Sequence, residues 1–203
     1  MHRPSGARAR PIPLERCFYE RGTVRVAKNL LGKLLVRRLG ASVLEGMIVE
    51  VEAYRGNDDP ASHAYGGITR RNRVMFGQPG HAYVYFTYGM HYCLNVTTEP
   101  IGQPGAVLIR AAQPLSGIDR MMKERATRRI KDLANGPAKL TQAFDITKAL
   151  NGYDLTLGKR LYIGEGDNPE PMHVVSTSRI GITVGLEKPW RFLIQGNPFV
   201  SRQ

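Results

Sequence analysis

Two stretches of the chain hold side chains that could do chemistry together. Ile48-Val-Glu-Val-Glu-Ala-Tyr54 carries two carboxylates and a phenol on an alternating, strand-like run. His81-Ala-Tyr-Val-Tyr-Phe-Thr-Tyr-Gly-Met-His-Tyr92 packs in Tyr83, Tyr85, Tyr88 and Tyr92. Between them lie His63 and the basic stretch Arg70-Arg-Asn-Arg73. Residues two apart on a strand share a face, so Glu50, Glu52 and Tyr54 project together. A carboxylate facing a cleft can hold a water and take its proton. On an open surface the same pair is only a solvated strand face, but a ring one repeat beyond Glu52 favours the cleft. His63 has no second His or Cys at ligand spacing, which argues against a metal site. Beside Tyr54 and the tyrosine run it is a candidate to stack on, or hydrogen-bond to, a flat group, and base–aromatic stacking is worth roughly 1–3 kcal/mol per base. An acid, flat faces and cations in one region suit a flat anionic polymer, that is, a nucleic acid.

These residues need elements to hold them. Residues 43–54 are expected to form the longest strand, with Val49, Val51 and Ala53 turned to the core and Ile48, Glu50, Glu52 and Tyr54 to solvent or a cleft. Asn57-Asp-Asp-Pro60 is a turn into a short helical piece carrying His63. Residues 83–88 and 91–97 read as strands joined by Gly89-Met90 in a two-residue turn. That hairpin turns Tyr83 and Tyr85 to one face and leaves Tyr88 at the tip, free to wedge between stacked bases. Tyr83 and Tyr92 are expected to be cross-strand packing. Further strands are expected at 33–38, 105–112, 160–163, 172–175, 181–184 and 192–195. Thr23 and Ser116 are expected to cap helices, and Gly136-Pro-Ala-Lys139 to open another with Pro in its first turn. The alternation of strand and helix that marks a parallel α/β sheet is missing.

The chain of 203 residues has 29 Lys+Arg against 17 Asp+Glu, a formal net charge of +12. That field attracts a polyanion, though it does not separate DNA from RNA or an anionic membrane. Arg70, Arg71, Arg73 and Lys139 are candidates for phosphate contacts, and Arg110 follows the strand core Val107-Leu-Ile109. Cys17 and Cys93 match no metal or redox spacing. No apolar run approaches the ~18 residues of a membrane helix, and the basic N-terminus lacks the apolar run of a secretory signal. Residues 1–13 are expected to be a flexible basic arm and 14–203 a single domain. No Gly-rich phosphate loop and no Ser-His-Asp or Cys-His signature is present.

The chain resembles the alkyladenine (3-methyladenine) DNA glycosylase family from about residue 14 to 201. The resemblance rests on Leu30-Leu-Gly-Lys-Leu-Leu-Val36, Ile48-Val-Glu-Val-Glu-Ala-Tyr-Arg-Gly56, Ala61-Ser-His63, Arg71-Asn-Arg73 with Met75-Phe76, and Tyr83-Val-Tyr-Phe-Thr-Tyr-Gly-Met90 with Asn95. It continues in Val107-Leu-Ile-Arg110, Gly136-Pro-Ala-Lys-Leu140 and Gly196-Asn-Pro-Phe-Val-Ser201. It implies a monofunctional enzyme that flips a damaged purine from duplex DNA and hydrolyses its N-glycosidic bond. By the family's pattern Glu52 activates the water, Tyr54 stacks on one side of the base, and His63 and Tyr85 lie on the other. Tyr88 fills the gap in the duplex, Asn95 disfavours the amine of guanine, and Arg110 helps place the water or a nearby phosphate. A cationic alkylated purine leaves readily, so one carboxylate suffices where sugar glycosidases use two. No metal or organic cofactor is implied. The expected partner is double-stranded DNA with damaged purines, met by a monomer in the bacterial cytoplasm at the nucleoid, or in the nucleus of a eukaryote.

The fold expected is α+β: a single mixed domain with a curved, mostly antiparallel sheet, flanking helices and a protruding tyrosine-bearing β-hairpin. One geometric demand follows. A two-residue loop at Gly89-Met90 pairs Tyr85 with Leu94 and turns Asn95 away from Tyr85, so a shared pocket requires a bulge or a wider loop. Two other functions compete: a non-catalytic nucleic-acid-binding module of the same fold, and a different hydrolase that uses Glu50 with Glu52.

Overall fold

The fold is organised around its longest strand, β2 (Ser42–Arg55). In the computed structural model, which describes residues 10–87, 89–166 and 172–201, β2 has partners on both edges. Its first half pairs with β1 (Leu34–Leu39), which pairs in turn with β6 (Leu161–Gly164). Its other edge pairs with β5 (Gly105–Ser116), then β4 (His91–Thr98), then β3 (Ala82–Thr87). Residues 50–52 also pair with β8 (Arg191–Ile194), which carries β7 (Val174–Thr177) on its far edge. Among the described residues every strand pairing is antiparallel, which makes a mixed α+β domain with a curled sheet.

The helices are short and cover the sheet: α1 (Arg16–Tyr19), α2 (Thr23–Leu30), α3 (Ile118–Arg125) and α4 (Pro137–Ala143). Val26, Ala27 and Leu30 of α2 fall on one face at helical spacing and are buried with Leu35, Val51 and Ile109. Leu140 and Ala143 of α4, with Phe144 after it, close the core on the side of β4 and β5.

Several expectations need correction. Thr23 is the first residue of α2 rather than its cap, and its amide and hydroxyl both donate to Glu99 Oε1, at 2.6 and 2.7 Å. Ser116 ends β5, and Gly117, at φ 71° where only glycine is unstrained, precedes α3 instead. His63 sits in a run of turns with no helix, and residues 181–184 form a loop. Strict alternation along β2 also fails. Ile48 faces Ala112 while Glu50 faces Ala111, so Val49 is an extra residue on β2. Two positions on, Arg110 is the extra residue on β5. The bulges locally reset the pleat, so Ile48 joins Val49, Val51 and Ala53 in the core. Of the expected N-terminal arm, residues 1–9 lie outside the described residues, whereas Pro13 bridges to Gly164 and Pro11 is buried.

Candidate active site

The hairpin meets the geometric demand by a wider loop. Thr87 pairs with His91, so three residues, 88–90, span the turn. The register shifts accordingly: Tyr85 faces Cys93 and Tyr83 faces Asn95. Directly opposed residues of an antiparallel pair share a face, so Tyr83, Tyr85 and Asn95 lie together. The row continues across the sheet, because Asn95 faces Leu108 on β5 and Leu108 faces Glu52 on β2. Tyr83, Asn95, Leu108 and Glu52 thus form one line over four strands. Tyr88 lies outside the described residues.

Above this line is a cavity of about 190 Å³. Tyr54, His63, Tyr83, Tyr85, Asn95 and Arg71 line it, with Met75 and Ala106 between them and Gly181 and Ile182 at its edge. The structure therefore brings together four of the expected base-binding residues, Tyr54, His63, Tyr85 and Asn95. Tyr83 is more than cross-strand packing, because its hydroxyl lies 2.9 Å from His63 Nδ1. The His63 and Tyr85 rings meet edge-on at 4.6 Å. Burial against these rings, with Arg71 nearby, pushes the His63 pKa down to about 4, so the imidazole is neutral at pH 7. Burial also pushes the phenols of Tyr54, Tyr83 and Tyr85 up, which keeps them protonated. Asn95 Nδ2 donates to the Tyr83 carbonyl at 3.1 Å, which fixes its amide.

Glu52 is fully buried at the back of this wall rather than in its lining. Its Oε1 accepts from the Ile180 amide at 2.7 Å and pairs with Arg110 Nη1 at 3.2 Å. Its Oε2 accepts from the Tyr54 hydroxyl at 2.8 Å. Glu50, expected on a solvent or cleft face, is equally buried. It accepts from Arg110 Nε and Arg191 Nε, both at 2.8 Å, and from the amide and hydroxyl of Ser201 at 2.5 and 2.8 Å. Burial alone would raise its pKa, but the Ser201 amide, Arg110 and Arg191 outweigh that and hold it below the usual carboxylate range. A carboxylate so fully bonded is an anchor for two guanidinium groups.

A second buried pair holds the far edge. Arg179 grips Asp59 through two bonds, at 2.5 and 2.7 Å, and donates to the Ala53 and Gly185 carbonyls. Its guanidinium lies 4.8 Å from the Tyr54 ring centre. This clamp fixes the 178–185 loop whose Ile180 amide meets Glu52. The remaining basic candidates divide. Arg71 stands over the Tyr85 ring at 4.9 Å and faces His63 Nε2 at 3.5 Å. Arg70 and Arg73 are exposed beside the cavity-lining loop, and Lys139 is turned to Asn135 Oδ1 at 2.8 Å, away from the cavity lining.

A family model described as methylpurine-DNA glycosylase matches residues 17–198. The chain belongs to that family. A relative from Carboxydothermus hydrogenoformans is 53% identical over 190 residues, 94% of this chain and 99% of its own. Others come from Methanoculleus marisnigri, 51% identical over 95% of this chain and 100% of its own, and Methanocella arvoryzae, 49% identical over 94% and 96%. All three carry the provisional name 3-methyladenine DNA glycosylase. The enzyme is a DNA glycosylase, a hydrolase of N-glycosyl bonds in DNA, which places it in base excision repair. Sequence reasoning passed over four residues that build its site. Asp59, Arg179 and Arg191 carry no local signature, since a lone charged residue in a loop or at a strand end is ordinary. Ser201 had a signal, in the Gly196-Asn-Pro-Phe-Val-Ser201 block, but its reach back to Glu50 is invisible in one dimension.

Proposed function

We propose that the glycosylase flips alkylated or deaminated purines of the 3-methyladenine type into the aromatic cavity and cleaves them with a water held by Glu52. The observation that carries this reading is the single carboxylate set behind ring-walled space and bonded by Arg110 and the Ile180 amide. Those donors keep Glu52 in one orientation, and a carboxylate oxygen has lone pairs to spare for a water's O–H beside that of Tyr54. In the reaction the C1′–N bond breaks with its electron pair going to the base. The water oxygen bonds C1′, and its proton passes to Glu52. Tyr54 forms one wall for the flipped base, with His63 and Tyr85 opposite and Asn95 at the edge. Damaged bases cost less to extrude, which adds selectivity. Tyr88 takes the wedge role on its sequence position between β3 and β4, and Arg70 and Arg73 contact phosphates. Glu50 is committed to two arginines and Ser201, which speaks against a two-carboxylate hydrolase.

The test is Glu52→Gln, an isosteric change. Binding to a duplex containing hypoxanthine should persist while base release falls by at least about 100-fold, the lower end for losing a general base. Undiminished release by this variant would sink the water assignment. Binding by the unmodified protein with release of neither hypoxanthine nor an N-alkylpurine would favour the non-catalytic module.

A further inference from the structure

Within the cavity lining, Arg71 is the one charged side chain. Its contacts are His63 Nε2 at 3.5 Å, the Tyr83 hydroxyl and the Tyr85 ring at 4.9 Å, and among the described residues no carboxylate pairs with it. The other guanidinium groups near the site are spoken for: Arg179 by Asp59, and Arg110 and Arg191 by Glu50. We propose that Arg71 is a specificity-determining residue that lets the site release neutral purines, by stabilising the negative charge that develops on them as they leave. The inference rests on the proposed placement of the flipped base in this cavity.

The argument follows the electron pair. When a cationic N-alkylpurine leaves, the C1′–N bond electrons neutralise its charge, and the base departs neutral with nothing for a cation to stabilise. When a neutral purine such as hypoxanthine leaves, the same electrons make it an anion, spread over its ring nitrogens and its exocyclic oxygen. That anion then takes a proton, the equivalent of the one Glu52 removed from water. No lining side chain is placed to give that proton early at pH 7. His63 is neutral, because burial and Arg71 push its pKa down to about 4, and the wall's phenols are pushed up. A fixed donor aimed where charge develops is the remaining device in this lining, and the Tyr85 ring together with His63 holds the Arg71 fork there. Only Arg offers planar, forked N–H donors to an oxygen and an adjacent ring nitrogen.

The measurement is single-turnover base release, with enzyme in excess so that binding drops out. Matched duplexes carry hypoxanthine or 7-methylguanine, and the readout is the ratio of the two rates. Arg71→Gln should lower the hypoxanthine to 7-methylguanine ratio by roughly tenfold or more, below the 10²–10³ of a buried oxyanion donor because Arg71 keeps an exposed edge. Arg71→Lys, which keeps charge without the fork, should restore part of it. A ratio unchanged while both rates fall would make Arg71 a phosphate or structural contact and overturn the inference, as would a ratio that rises. Unmodified protein that releases 7-methylguanine through Glu52 but no hypoxanthine overturns the inference and leaves the proposed function standing. Release of neither base takes down the site reading itself.

Discussion

Glu50 and Glu52 are two residues apart and equally buried, yet their partners give them different work. Glu50 meets two guanidinium groups and both donors of Ser201; Glu52 meets one guanidinium, one amide and one phenol. Removing one partner of a buried ion pair strands the other, at about 3–5 kcal/mol. Glu50→Gln should therefore lower the melting temperature clearly, with loss of base release following from misplaced Arg110; a variant that melts like the unmodified protein would show the anchor to be idle. His63 gives a prediction with a defined sign. Its folded pKa is about 4, against about 6.5 unfolded. In that window the unfolded chain binds a proton that the folded chain refuses, so stability falls as pH drops from about 6.5 toward 4. Ring-carbon NMR should show no His63 titration midpoint near 6.5.

At the scale of elements, the 178–185 loop decides whether the strands make a site. Strand pairing carries Tyr83, Asn95, Leu108 and Glu52 into line, but Ile180, Gly181 and Ile182 come from a segment with no regular structure. Its fixing point is the Asp59–Arg179 pair, which is fully buried. Asp59→Asn leaves a buried guanidinium short of its anion and should cost about 3–5 kcal/mol, and the surviving folded protein should release base more slowly because Ile180 no longer seats on Glu52. Thermal melting and single-turnover release measured together separate the two effects, and an unchanged rate in the folded fraction would show that the loop holds without its clamp. The same elements show what one dimension can reveal. Alternation found β2 and its paired acids, since side-chain period is a property of the backbone. It misjudged Ile48 because a bulge at Val49 adds a residue without any marker in composition. It could not decide the face of Asn95 for a related reason: the hairpin loop is one residue wider than Gly89-Met90 suggests, and a single residue flips every side chain beyond it. Residues 181–184 read as a strand because Ile182 and Val184 alternate, yet among the described residues no strand pairs with them.

For the whole molecule, charge and shape act together. The formal net charge is +12, while Arg110, Arg179 and Arg191 are paired with buried acids and contribute little to the outer field. The field that draws DNA therefore comes from exposed side chains such as Arg70 and Arg73. Each that contacts a phosphate adds about 0.9 to the slope of log affinity against log salt. Arg70→Gln and Arg73→Gln should each reduce that slope by about 0.9 with the same loss on damaged and undamaged duplex; a loss confined to damaged duplex would place them in base recognition instead. Ser201, finally, donates to Glu50 across 151 positions. The residues proposed to cut are made by the time residue 110 leaves the ribosome, but the amide that completes their buried charge shell is made ninety-one positions later. A growing chain thus cannot complete the charge shell around Glu50 until residue 201 has been made.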